Sequence, residues 1–337
     1  MISLEHIFQC WDQFKRGKSK RKDIQLFERH LEDNIFQLQE DLRIFQYSHS
    51  SYHQFYVTDP KQRHISKASV RDRLVHQVVY DSLTHILDKK FIFHSFSSRL
   101  GKGTHIGVDQ LRKMIKKVSC NGFKPCFALK MDIRRFFDTI HHPTLKLLLR
   151  KYIKDENAMR LIEMIIDSFK VSDEHGIPLG NVTSQLFANV YLHKLDEFIK
   201  QQLREKFYIR YCDDFIILSN NKSHLQTLIV SIREFLSQNL QLDLHPKKVI
   251  IAKLTSGIDF LGYVLFEHHT LMRARTKQRM KKRLQTAFEE YLIGVTDPMS
   301  MNQKLQSYLG LLSHADQHNL AIGLTNAYRT KSKKSKF

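Results

Sequence analysis

Two adjacent acids, Asp213 and Asp214, stand between two apolar runs, Phe207–Cys212 and Phe215–Ser219. Short apolar runs on either side of a polar break read as a β-hairpin. Tight hairpin turns, however, favour Asn-Gly or Asp-Gly, because their central residues often need positive φ, and two neighbouring carboxylates repel each other. A chain that places such a pair between strands calls for a cation to neutralise it. Oxygen-only donors suit magnesium, which takes one or two carboxylates together with substrate phosphates. A third acid, Asp132, closes another apolar run, Phe127-Ala128-Leu129-Lys130-Met131. If the two strands are neighbours, all three acids meet at one end of one sheet. Two metal ions ~3.5–4 Å apart there would activate an attacking hydroxyl oxygen and steady a leaving pyrophosphate. The plainer alternative is an exposed acidic turn.

Charge narrows the partner. Lys and Arg number 54 against 34 Asp and Glu, a formal net charge of +20. An excess of this size implies a polyanion, most often nucleic acid, the alternative being a soluble protein that is merely basic. The run Arg273–Arg283 holds seven cations and no acid. It reads as the start of a helix whose Arg275, Lys277, Arg279 and Lys282 follow a nucleic-acid backbone through salt-sensitive, sequence-independent contacts. A second basic stretch, Arg329, Lys331, Lys333, Lys334 and Lys336, reads as a flexible tail.

The 42% hydrophobic content, with 23 Phe and 12 Tyr, supports a sizeable core, and 12 Gly and 6 Pro argue against disorder or a turn-rich all-β chain. Apolar stretches fall short of the ~20 residues of a membrane span, and the first residues lack the pattern of a secretory signal. Four cysteines without paired metal spacing fit a reduced, cytoplasmic protein with no zinc.

Amphipathic helical patterns cover Asp23–Phe45 and Val70–Leu87, with an extended break at Tyr47–Pro60. After the strand ending at Asp132, helices are expected over Pro143–Ile153, Asn157–Phe169 and Ser184–Leu203. The hairpin follows, then a helix over His224–Leu240, strands over Lys248–Leu254 and Ile258–Phe266, and helices over Thr276–Ile293 and Met301–Leu312. Such alternation indicates an α+β or α/β layer around one sheet.

At this point the residues resemble a known family. Tyr211-Cys212-Asp213-Asp214 is similar to the Tyr-x-Asp-Asp motif of reverse transcriptases, and Leu129–Phe137 resembles their first catalytic motif. Pro60–Ile65 with Arg71-Asp72-Arg73 resembles the fingers motif, and Ser98–His105 the block after it. Leu244-His245-Pro246-Lys247-Lys248 and Phe260-Leu261-Gly262-Tyr263 resemble the later palm motifs. Order and spacing agree over roughly residues 20 to 320. In Ile177–Gln185 most members carry Gln-Gly-x-x-x-Ser-Pro, whereas this chain has Leu179 for the Gln and Gln185 for the Pro. That variant, and Ser307–Ala315, resemble the error-prone reverse transcriptases of diversity-generating retroelements.

The resemblance implies an α+β right-hand polymerase: fingers over 1–125, a palm of antiparallel sheet plus helices over 126–270 with a fingers return at about 142–176, and a small helical thumb with basic tail over 271–337. No room is expected for the further DNA-binding and endonuclease domains of many group II intron proteins. It implies two Mg2+ ions on Asp132 and Asp213, a weaker part for Asp214, and the backbone carbonyl of Ile133 as a further candidate ligand. Phe137, five residues after Asp132, matches the position under the incoming sugar that excludes a 2′-hydroxyl, while Phe136 reads as core. Lys61, Arg63 and Arg73 are candidates for the triphosphate, Lys248 for the pyrophosphate, and Leu179, Gly180 and Gln185 for the nucleotide pocket. His105 reads as structural or as a template contact. The implied partners are an RNA template, a DNA primer and its cDNA product, deoxynucleoside triphosphates and a small basic accessory protein, in a bacterial or phage-encoded cytoplasmic setting. Rival readings are a retron, group II-like or phage-defence reverse transcriptase, or an idle RNA-binding protein on the same fold.

Overall fold

The computed structural model describes residues 3–58 and 61–334. Pro60 and Lys336 lie outside them, as do the side chains of Lys331, Lys333 and Lys334. The chain opens with α1 (Leu4–Lys15), whose first turn is capped by Ser3 accepting from the His6 N–H. Ile7, Cys10, Trp11 and Phe14 form its buried stripe, at the spacing of one helix face. Next come α2 (Lys22–Glu28), α3 (Leu31–Arg43) and a two-stranded ribbon, β1 (His53–Val57) and β2 (Arg63–Lys67). Helix α4 (Val70–Leu87) is capped by Ser69. Helix α5 (Thr104–Val118), which the Gly-Lys-Gly-Thr block obscures in the sequence, follows.

Strand β3 (Phe127–Asp132) leads through the short α6 (Phe136–Thr139) to α7 (His142–Arg150) and α8 (Glu156–Asp167). Helix α9 (Val182–Glu197) is buried almost all round, with Gln185 exposed near its start. A π-helical turn, Phe198–Gln202, ends it. The hairpin strands are β4 (Tyr208–Tyr211) and β5 (Asp214–Ser219), followed by α10 (Lys222–Leu240), β6 (Ile250–Lys253), β7 (Ile258–Phe260), β8 (Tyr263–Leu265) and β9 (Thr270–Met272). Helices α11 (Ala274–Leu292), α12 (Pro298–Leu312) and α13 (His318–Lys334) complete the chain. The tail expected to be flexible is helical as far as Lys334: α13 carries the backbone of the second basic stretch from Arg329 to Lys334.

The central sheet has strand order β4-β5-β3-β6, with β3 antiparallel to β6 and Phe127 opposite Lys253. A second, three-stranded sheet runs β7-β8-β9. Its first turn, Leu261-Gly262, has positive φ at both positions, the pattern of a type I′ hairpin.

Contacts divide the chain into two compact units. One comprises Met1–Lys102, Met131–Phe215 and Thr227–Val249. Its core includes the packing of α1 and α9 on α4. The other comprises Gly103–Lys130, Ile216–Gln226 and Ile250–Phe337. There α11, α12 and α13 enclose a cluster built on Met280, Leu284, Phe288, Met301, Leu305 and Leu312.

Candidate active site

Strand β3 delivers Asp132 at its last residue, and β5, its neighbour in the sheet, begins at Asp214. The hairpin turn is Cys212-Asp213, one residue earlier than the Asp-Asp pair marked by the flanking apolar runs. Cys212 has φ 55° and Asp213 does not share the left-handed region, the pattern of a type II′ turn with cysteine at the glycine position. Asp214 is thus a strand residue. Among the described residues the three aspartates do not bring three ligand oxygens within 4.8 Å of one another. Asp132 and Asp213 are the acids at the strand end and in the turn.

Electrostatics mark the same pair. Burial pushes the Asp213 carboxyl above its ordinary range, and the Asp132 charge pushes it further. The Lys248 ammonium, which works against that shift, donates to Asp132 Oδ1 at 2.7 Å. Two crowded carboxylates answered by one lysine form an oxygen donor set short of positive charge, which a hard divalent cation fits. Ile133 pairs with Leu244 in an isolated antiparallel bridge whose two bonds come from its neighbours: Arg134 N–H to Asp243 O, and His245 N–H to Asp132 O. The Ile133 carbonyl takes no part in that bridge and follows Asp132 directly in the chain.

The backbone around the nucleotide-pocket candidates is strapped at several points. Phe137 is half-buried and accepts from the Ile177 N–H through its carbonyl at 2.8 Å, while Phe136 is core at 2% exposure. Two residues further on, the Leu179 carbonyl accepts from Ser66 N–H at 3.0 Å, and the Asn181 amide donates to Ser66 O at 2.9 Å. Gly180, between them, has φ +114°, and a Cβ there would come within 2.9 Å of Ile65 Cγ2. The close approach that Gly180 allows within this chain is thus to Ile65, in the middle of β2.

Of the three triphosphate candidates, Lys61 and Arg63 are exposed at the ribbon. Arg73 is held elsewhere. It is 8% exposed, pairs with Asp23 at 2.6 Å and lies over the Phe14 ring. Burial opposes the Asp23 charge, but Lys67 and Arg73 together outweigh it and hold the carboxyl down at about 2. A guanidinium so engaged is tied to Asp23, unlike the exposed Lys61 and Arg63.

In the other unit, Arg275, Arg279 and Lys282 fall four and three residues apart, one stripe of α11. Lys277 does not join them. It stands three and seven residues before the buried Met280 and Leu284, on the side that packs inward. His105 stacks face to face on His314 at 3.7 Å, with Tyr263 alongside, the packing of a structural residue. One His/Cys/Asp group also gathers, His6, Cys10 and Asp81, through helical spacing on α1 and a partner on α4. His6 and Asp81 already form an ion pair at 3.0 Å.

Sequence reasoning missed Arg210, Asp196 and Asn189, a fully buried polar cluster behind the turn. The available signal was a lone arginine inside the apolar run Phe207–Cys212, because a buried guanidinium requires a carboxylate.

Comparison with known proteins identifies the family. A family model described as reverse transcriptase (RNA-dependent DNA polymerase) matches residues 58–265, more than half of the chain and all of the residues around the acid pair. Escherichia coli protein YkfC is 24% identical over 64% of this chain and 65% of its own length. The group II intron-encoded protein LtrA of Lactococcus lactis subsp. cremoris is 23% identical over 70% of this chain and 50% of its own. The retron Ec73 reverse transcriptase of Escherichia coli is 23% identical over 57% and 63%. The chain thus spans less than two thirds of the length of these curated relatives. Among solved structures, the telomerase of Candida albicans, in complex with a fragment of telomeric RNA, superposes with a TM-score of 0.52 at 12% identity, covering 80% of this chain and 56% of that one. With an α+β polymerase fold and its acid pair at the end of the central sheet, this chain belongs to the reverse transcriptase family.

Proposed function

We propose that this chain is an RNA-directed DNA polymerase in which Asp132 and Asp213 hold the catalytic magnesium ions. The observation that carries the proposal is the acid pair itself: two carboxylates, that of Asp213 pushed upward by burial and then by the Asp132 charge, at the end of β3 and in the turn between β4 and its sheet neighbour β5. Bound there, two divalent ions would supply Lewis acidity at the attacking and leaving oxygens. The chain's own residues do the rest. The primer 3′-oxygen attacks the α-phosphorus of a deoxynucleoside triphosphate, one P–O bond forms and the bond to pyrophosphate breaks. In this reading Lys248 meets charge developing on the pyrophosphate, and Phe137 excludes a 2′-hydroxyl. Lys61 and Arg63 approach the triphosphate from the ribbon, and the α11 stripe follows the template–primer backbone.

In this reading the fingers are residues 1–125 with a return near 142–176, the palm 126–270 and the thumb 271–337. Leu179 and Gln185 favour the error-prone, diversity-generating type, encoded in a bacterium or phage and working in the cytoplasm with a small basic accessory protein. A template and variable repeat pair beside the gene would separate it from retron, group II-like and defence enzymes. Primer extension on poly(rA)/oligo(dT) with magnesium tests the activity. Template binding without extension would sink it in favour of an idle RNA-binding protein.

A further inference from the structure

Arg210 lies in β4, three residues before Asp213, and its side chain is fully buried. A guanidinium cannot shed its charge, so burial demands a partner. Asp196 of α9, equally buried, accepts in bidentate fashion from Arg210 Nε at 2.7 Å and Nη2 at 2.6 Å. The Tyr208 hydroxyl donates to the same carboxylate at 2.7 Å. Nη1 then reaches two acceptors beyond the pair, Asn189 Oδ1 at 3.3 Å and the backbone carbonyl of Cys212 at 3.1 Å. The Arg210 main chain is fixed as well: its N–H donates to His94 O and its carbonyl accepts from Phe96 N–H. The Asn189 amide donates to Ser97 O at 2.9 Å, tying the same segment to α9.

This cluster ends on the one strained residue of the hairpin. Cys212 takes the left-handed backbone that a type II′ turn normally gives to glycine, and its carbonyl begins the peptide that leads into Asp213. We infer that Arg210 is the positioning residue of this turn: by gripping the Cys212 carbonyl it fixes that peptide, and with it the direction in which the Asp213 carboxylate points toward Asp132. Asp196 and Asn189 orient the guanidinium, and Arg210 itself touches no reacting atom. An ion pair serving stability alone is complete with Asp196; the Nη1 bond to the turn is what links it to the acid pair.

The inference rests on Asp132 and Asp213 as the metal site, and its test separates the two ideas. Arg210→Lys keeps a cation but cannot span both carboxylate oxygens and the Cys212 carbonyl from one rigid plane. In the full chain, Mn2+ binding is read by electron paramagnetic resonance of the free ion, alongside kcat and KM for dTTP on poly(rA)/oligo(dT) and thermal melting. Mn2+ affinity should fall about ten-fold or more, as for lost supports of metal ligands, and kcat about 100-fold, as for a misplaced reacting group. Adding Cys212→Gly, which adopts the left-handed turn unaided, should bring Mn2+ binding of Arg210→Lys back to within a few-fold of Cys212→Gly alone. An Arg210→Lys enzyme that melts lower yet binds Mn2+ and turns over like the wild type would overturn the inference. So would a loss that Cys212→Gly leaves unchanged. If Arg210→Lys does not fold, Asp196→Asn, which keeps the shape of the pair and loses its charge, is judged in the same assays by the same criteria. Asp213→Asn is the reference: if it binds Mn2+ as the wild type does, the metal site itself is wrong, whatever Arg210→Lys shows.

Discussion

The Lys248 ammonium donates to Asp132 Oδ1 at 2.7 Å, joining residues 116 apart in the chain. The lysine therefore occupies the acid that a metal ion would use, and it eases the repulsion between Asp132 and Asp213. Lys248→Gln should bind Mn2+ a few-fold more tightly at low salt, because a competing cation is gone. It should extend primers more slowly, because the charge meeting the pyrophosphate is lost as well. Binding that weakens instead would mean that the lysine orders the site rather than competing for it.

Asp213→Asn removes charge from the acid pair with little change in volume. Extension should fall below ~1% of wild type if Asp213 holds metal, with template affinity within a few-fold. The same variant has a signature in stability. The folded-state carboxyl of Asp213 titrates above its unfolded value, so the native state binds the proton more tightly. Its charge then destabilises the metal-free fold at neutral pH, and that cost disappears as pH falls through the raised value. In chelator, Asp213→Asn should melt higher than wild type at neutral pH, and the difference should shrink on acidification. Equal melting across the range would show that the carboxylate is not crowded.

Much of the site was legible because its signals are local. An apolar run that ends in an acid announces a strand and its terminus, which placed Asp132 and the hairpin. What failed depended on partners distant in sequence or on backbone angles. The turn shifted by one because the left-handed φ of Cys212 has no signature in the residue type. The pairing of Arg73 with Asp23 was hidden because the two lie 50 residues apart. Lys277 looked equivalent to its basic neighbours until the buried stripe of α11 fixed which side turns inward. Helix α13 was missed because its cations resemble a solvated tail.

Phe137→Val should admit ribonucleotides. Phe137 is half-buried and strapped by the Ile177 N–H, whereas Phe136 carries the core contact. The variant should therefore lose less stability than the about 3–5 kcal/mol of a fully buried phenylalanine cut to alanine. The ratio of kcat/KM for dGTP over GTP is the readout, measured with melting. An unchanged ratio would return Phe137 to the core.

Replacing Arg275, Arg279 and Lys282 with Gln should weaken RNA–DNA binding alike for all sequences and flatten its salt dependence by up to about one unit of slope per lost phosphate contact. Lys277→Gln alone should leave the slope unchanged, since that position faces the packed side of α11. A triple variant with the wild-type slope would show that the stripe touches no nucleic acid.

Leu179 offers the sharpest test of subtype. Its backbone is fixed by the bond from Ser66 N–H, and the flanking Asn181 is bonded to Ser66 as well, so exchanging the half-buried side chain should leave the strap intact. By resemblance, most relatives place a glutamine here against the incoming nucleotide. Leucine can neither donate nor accept a hydrogen bond, which leaves the pocket apolar contact and shape. Discrimination of that kind is worth only ~1–3 kcal/mol, whereas a site built on polar contacts rejects more strongly. A correct pair then loses more than a mispair does, and the gap between them narrows. Leu179→Gln, with Gln185→Pro beside it if the helix start requires it, should lower misincorporation opposite template adenine. Loss of a polar contact narrows the gap for every template base, so errors opposite all four are counted. Sequencing of cDNA copied from one defined RNA, with wild type and variant at matched extension, is the measurement. An error rate opposite adenine that stays level or rises would make Leu179 a packing variant.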